Sequence, residues 1–177
     1  KIKLIILVLQ QKDLINQMLI ATKSSKINIS EESKTKNIAE IFSKNIKVSY
    51  VLFFKGELGV GKTTFIKYFI NFLQIERNQS TTEVPSPTFN LVNEYKIDSL
   101  ILKHCDLYRI NSEKEIDSLG IFEDNSNQIT LIEWPELIKK HKIGNIIELH
   151  FEYNEDYNKR FLTISSNSKI SFLDEFK

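Results

Sequence analysis

Residues 56–63 read Gly-Glu-Leu-Gly-Val-Gly-Lys-Thr, with three glycines leading to a lysine and a hydroxyl. That order and spacing make a complete phosphate-binding loop. The glycines let the backbone curl without Cβ clashes, so successive N–H groups surround one point. Lys62 is placed to reach outer phosphates, and the Thr63 hydroxyl to hold Mg²⁺. The loop residues expected to line a nucleotide are Glu57, Leu58, Gly59, Val60, Gly61, Lys62, Thr63 and Thr64. The flanks agree. The apolar run Val51-Leu52-Phe53-Phe54 precedes the loop, and an amphipathic stretch over 64–73 follows it. A loop between a buried strand and a helix also aims the positive end of the helix dipole at the same point.

A cradle alone does no chemistry. A nucleotide site also needs carboxylates for metal and water, and a segment that senses the γ-phosphate. In doubly wound folds such groups lie beyond the carboxyl ends of strands. Asp106 closes the run Leu100-Ile101-Leu102-Lys103-His104-Cys105, and Glu133 closes Ile129-Thr130-Leu131-Ile132. If both strands lie beside the loop strand, both carboxylates face the metal end of the nucleotide. Ser86-Pro87-Thr88 offers two hydroxyls around a proline that holds Ser86 extended. Ser86 and Thr88 either meet the γ-phosphate or metal and change order with nucleotide state, or belong to a stiffened connection. Trp134 follows Glu133 and either senses the site, meets a partner or fills core. Arg109 either pairs with an acid, meets phosphate or anchors a partner, and a structural ion pair is the simplest of these roles. His104, His141 and His150 show no metal-ligand spacing, and strand alternation points His104 away from Cys105. Cys105 reads as core.

The elements that must position these groups are legible in the pattern. Lys26 to Ile29 reads as a short edge strand. Ser30 reads as a helix N-cap, with Ile38, Ile41 and Phe42 recurring at helical spacing. A buried strand runs from Ser49 to Lys55. The helix after the loop buries Phe65, Ile66, Phe69, Phe72 and Leu73. Thr88–Ile97 and Leu100–Leu107 form an antiparallel hairpin over Asp98-Ser99. Ser112 and Glu115 make a capping box for a short helix ending at Gly120. Gln128–Trp134 is a second buried strand, and Pro135 suits the first turn of a helix to about His141. Ile146–Tyr153 and Arg160–Ser165 close the chain as a hairpin. The sum is an α/β domain of P-loop NTPase type, three layers deep, with a mixed, mainly parallel sheet and antiparallel hairpins.

Length and composition narrow the class. The 177 residues suit one compact domain, and 24 basic against 23 acidic side chains leave a net charge of +1. No basic field argues for broad nucleic-acid binding, so no DNA partner is expected. The only arginines are Arg77, Arg109 and Arg160, and one cysteine permits no intrachain disulfide, which fits a reducing cytoplasm. Leu4 to Leu9 is apolar but too short to span a bilayer, so no membrane partner is expected. The chain starts with Lys1 and its only methionine is Met18, so residues before Met18 read as an upstream extension. The expected division is an N-terminal extension over 1–25, an ATPase domain over 26–166 and a tail over 167–177.

Four motifs in order carry a family resemblance. They are the loop ending Lys62-Thr63-Thr64, then Ser86-Pro87-Thr88-Phe89, then His104-Cys105-Asp106-Leu107-Tyr108-Arg109, then Ile132-Glu133-Trp134-Pro135-Glu136. The chain resembles TsaE (also called YjeE), a bacterial ATPase family of tRNA threonylcarbamoyladenosine synthesis, over about Ile27 to Ser165. The resemblance implies binding of ATP with Mg²⁺ and slow hydrolysis that depends on partners. It implies partners of the TsaD and TsaB type, whose core modifies the adenosine beside the anticodon, with tRNA met indirectly through that complex. It implies a role in resetting or licensing the core between turnovers, without performing the transfer. By motif, Asp106, Lys62 and Glu133 would be catalytic, Thr63 and Glu133 would hold the metal, Ser86 to Phe89 would be the switch, and Trp134 would line the nucleotide site. Rival readings are a small-molecule P-loop kinase, which the scarcity of arginine disfavours, a GTP switch, for which no Asn-Lys-x-Asp run exists, and a nucleotide-binding module without hydrolysis.

Overall fold

The structure is a computed structural model that describes residues 22–122, 126–139 and 143–176. In chain order the elements are β1 (Thr22–Lys23), β2 (Ile27–Asn28), α1 (Glu32–Asn45), β3 (Tyr50–Lys55), α2 (Lys62–Glu76), β4 (Val92–Ile97) and β5 (Leu100–Asp106). Then follow α3 (Glu113–Ser118), β6 (Gln128–Glu133), β7 (Asn145–Tyr153), β8 (Arg160–Ser166) and a 3-10 helix over Ser171–Phe176.

The eight strands form one sheet in the order β1-β8-β7-β3-β6-β5-β4, with β2 also paired to β8. The four central strands are parallel, β3 lying between β6 and β7, and β6 between β3 and β5. The flanking pairs β4–β5 and β7–β8 are antiparallel. Strands buried on both faces read as unbroken apolar runs, and Val51 to Phe54 all lie in core. Alternation then divides them. Leu52 and Phe54 face α1 and α2 with Phe42, Phe65 and Phe69. Val51, Phe53, Cys105 and Ile132 face the α3 side with Ile116 and Ile121. Two cores on two faces of one sheet are the three layers expected.

On the α1/α2 side the aromatic rings pack edge to face, Phe42 against Phe65 at 5.5 Å and against Phe172 at 5.1 Å. Each such buried ring contributes about 1.5–3 kcal/mol from area alone. Phe172 and Leu173 therefore belong to the core, and the packed body runs past the expected boundary at 166. It also starts before 26, since Thr22 and Lys23 pair with Ser166 and Ser165. The apolar run Leu4–Leu9, and the extension assigned before Met18, lie outside the described residues.

Two local expectations are corrected. Ser30 does not cap α1: its hydroxyl accepts the Arg160 N–H at 3.0 Å, and Glu31 takes the N-cap position. No helix follows Pro135 over the described residues. Trp134 takes φ +59°, a single turn closes through the Ile138 N–H to Pro135 carbonyl at 3.0 Å, and no helix continues to 139.

Candidate functional site

Every site group sits at the carboxyl edge of the parallel strands. Lys55 ends β3, and the loop turns back into α2. Gly56 has φ +127°, and a Cβ there would lie 2.1 Å from the Phe151 carbonyl oxygen. Only glycine permits that approach, which seats the loop against β7. Gly61 has φ +113° and faces open space, and it serves as the left-handed N-cap of α2. The first turn of α2 carries no acidic residue to compete for its free N–H groups.

Lys62 is 4 % exposed. Its Nζ donates to the carbonyls of Gly56 and Glu57, each at 2.8 Å, and lies 4.1 Å from the Trp134 ring centre. Burial lowers its pKa, and the charges of Glu133, Asp106 and Glu136 oppose that shift. Trp134 reaches this place through strain. Its N–H bonds the Phe54 carbonyl at 3.2 Å, and its positive φ costs about 1–3 kcal/mol for a residue other than glycine. Its ring also meets Tyr108 at 4.9 Å.

Parallel register sets Asp106 beside Glu133. Glu133 is buried, and its Oε1 accepts from the Thr63 hydroxyl at 2.8 Å and meets His104 Nε2 at 3.0 Å. Asp106 is also buried. Its Oδ2 accepts from Ser86 at 2.9 Å and Thr88 at 2.7 Å, and its Oδ1 accepts the Tyr108 N–H at 3.0 Å. The two hydroxyls of the Ser86–Thr88 segment thus converge on one carboxylate oxygen.

The cleft, about 410 Å³, is lined by Leu58, Gly59, Gly61, Lys62, Thr63, Thr64, Ser86, Thr88, Asp106, Tyr108, Glu133 and Trp134. Two loop residues differ from expectation. Val60 is wholly buried in the α1/α2 core, and Glu57 contributes a backbone carbonyl to Lys62 without lining the cleft. Arg109 forms no ion pair among the described residues: its guanidinium stacks 4.4 Å over the ring of Phe89, which is 81 % exposed. Burial pushes the Cys105 thiol up to about 12, so it stays protonated at neutral pH, as a core residue should. Two residues at the site were not foreseen. Tyr108 lines the cleft, and His104 touches Glu133. Alternation alone places His104 on the face of Asp106, two positions away, and that was the available signal.

Comparison with known proteins gives the family. The family model "Threonylcarbamoyl adenosine biosynthesis protein TsaE" matches residues 29–161. A "tRNA threonylcarbamoyladenosine biosynthesis protein TsaE" of Rickettsia bellii is 38% identical over 143 residues, covering 81% of this chain and 96% of that protein. The protein of the same name from Aquifex aeolicus is 35% identical over 136 residues, covering 77% of this chain and 92% of its own. The crystal structure of Bacillus subtilis YdiB superposes with a TM-score of 0.65 at 26% identity, covering 88% of this chain and 93% of that one. With the loop, the two strand-end carboxylates and the hydroxyl segment in one cleft, and with relatives matched over most of their length, this chain belongs to the TsaE family of threonylcarbamoyl adenosine biosynthesis proteins.

Proposed function

We propose that the chain binds ATP with Mg²⁺ and hydrolyses it, in support of a TsaD–TsaB type core that modifies tRNA. The observation that carries this reading is the Thr63–Glu133 contact at 2.8 Å, at the first turn of the helix leaving the phosphate loop. A hydroxyl and a carboxylate are hard oxygen donors that suit Mg²⁺. Among the described residues no group of three or more His, Cys, Asp or Glu could hold an ion alone. That suits a metal whose remaining ligands are phosphate oxygens and water. When bound, the ion would supply positive charge against the phosphates.

The chain's own residues do the rest. Backbone N–H groups of the loop and of the start of α2 receive the phosphates. Lys62 leaves the Gly56 and Glu57 carbonyls and donates to an outer phosphate. Thr63 and Glu133 would hold the cation. Asp106 orients the attacking water and accepts its proton once Ser86 and Thr88 release Oδ2. None of the three arginines lines the cleft, so charge developing in the transition state lacks a guanidinium partner within this chain. Hydrolysis by the isolated chain is therefore slow, and a partner completes the site. The same lack weighs against a small-molecule kinase.

Phosphate release measured with and without TsaD and TsaB tests the coupling. Faster release with the partners is expected, and equal rates would refute it. Lys62→Ala and Glu133→Ala test the assignment: unchanged Mg²⁺–ATP binding in both rejects the site.

A further inference from the structure

We infer that His104 is a positioning residue for the metal carboxylate, an inference that rests on the proposed use of Glu133 toward Mg²⁺. His104 lies on β5 two residues before Asp106, on the face that carries Leu102 and Leu131. It is fully buried. Its Nε2 lies 3.0 Å from Glu133 Oε1, while its Nδ1 has no hydrogen-bond partner among the described residues. A carboxylate only accepts, so Nε2 carries a hydrogen toward it. A leucine would fill this position without leaving a buried nitrogen unsatisfied. What the imidazole adds is one N–H aimed at Glu133.

That N–H matters because Oε1 is held from two sides. Thr63 grips it from α2 and His104 from β5. Thr63 is also the hydroxyl proposed for the cation, so its orientation changes when the metal arrives. His104 has no such second task. It fixes the plane of the carboxylate beforehand, in the way that an outer hydrogen bond orients a metal-ligating group.

The test is nucleotide affinity, measured by calorimetry in Mg²⁺ and again in EDTA, for the full chain and for His104→Gln, His104→Asn and His104→Leu. The glutamine amide nitrogen reaches the place of Nε2, and the asparagine nitrogen stops short of it. All four chains are expected to bind alike in EDTA. Magnesium should strengthen binding equally for the unaltered chain and His104→Gln. His104→Asn and His104→Leu should lose about tenfold or more of that gain. Full gain in His104→Asn overturns the inference. So does an equal loss in EDTA, which marks a general disturbance of the core, and so does a glutamine variant that behaves like asparagine. Should His104→Leu fail to fold, the contrast between the two amides decides. No binding by the unaltered chain would sink the nucleotide reading itself, a result distinct from binding that ignores His104.

Discussion

The Lys62 ammonium lies 4.1 Å from the centre of the Trp134 ring while donating to the Gly56 and Glu57 carbonyls. The lysine is thus satisfied by its own chain. A desolvated cation over an indole gains about 2 kcal/mol, which an incoming phosphate must exceed.

Trp134 is the only tryptophan, so tryptophan emission reports on this one ring, which Lys62 and Tyr108 both touch. Adding Mg²⁺–ATP is expected to change the emission as Lys62 leaves the ring. Lys62→Met should alter the spectrum of the free protein and abolish the response. Emission that ignores nucleotide in the unaltered chain contradicts the placement.

Much of this site was written in the order of residues. The glycines, Lys62 and Thr63 specify the loop locally, and two apolar runs ending in Asp106 and Glu133 specify where carboxylates emerge. What escaped the sequence depends on distant contacts. Ser30 looks like a cap, but its hydroxyl is taken by Arg160, 130 positions away. Pro135 looks like a helix start, but the left-handed Trp134 before it redirects the chain. The last residues lack any period, yet Phe172 finds Phe42. His104 opens a family motif, but its contact with Glu133 follows only when parallel register brings β5 beside β6.

The loop glycines differ in what they tolerate. Gly56→Ala meets both a positive φ and a backbone oxygen 2.1 Å away, so it should lower unfolding stability by about 3 kcal/mol or more. Gly61→Ala meets strain alone, with nothing within 4 Å, and should cost about 1–2 kcal/mol. Denaturant titration of both variants compares them, and equal losses contradict the close approach to Phe151.

Burial lowers Lys62 below the ordinary lysine value in the folded chain. Between the two values the unfolded chain binds more protons, so this group adds stability as pH rises through that alkaline interval. Below the interval its penalty is constant. The stability of the unaltered chain relative to Lys62→Met should therefore climb with alkaline pH. Saturating nucleotide should flatten the climb, because phosphate favours the charged ammonium. A relative stability that falls across the interval would falsify the burial account.

Asp106 holds the Ser86 and Thr88 hydroxyls and is proposed to take the proton from water. Asp106→Asn preserves shape and removes the base. Phosphate release should fall about 10²-fold or more with nucleotide affinity nearly intact. A variant that hydrolyses at the original rate removes Asp106 from the chemistry, and one that loses binding makes it a ligand-holding group instead.

The most direct measurement of the central claim is calorimetry of ATP with Mg²⁺ against the folded chain and against Lys62→Ala. One nucleotide per chain is expected to bind, with affinity reduced at least about tenfold in the variant, the loss of a charge-assisted contact to phosphate. No heat of binding in the unaltered chain, or equal affinity in both, would contradict a triphosphate seated on the loop between β3 and α2.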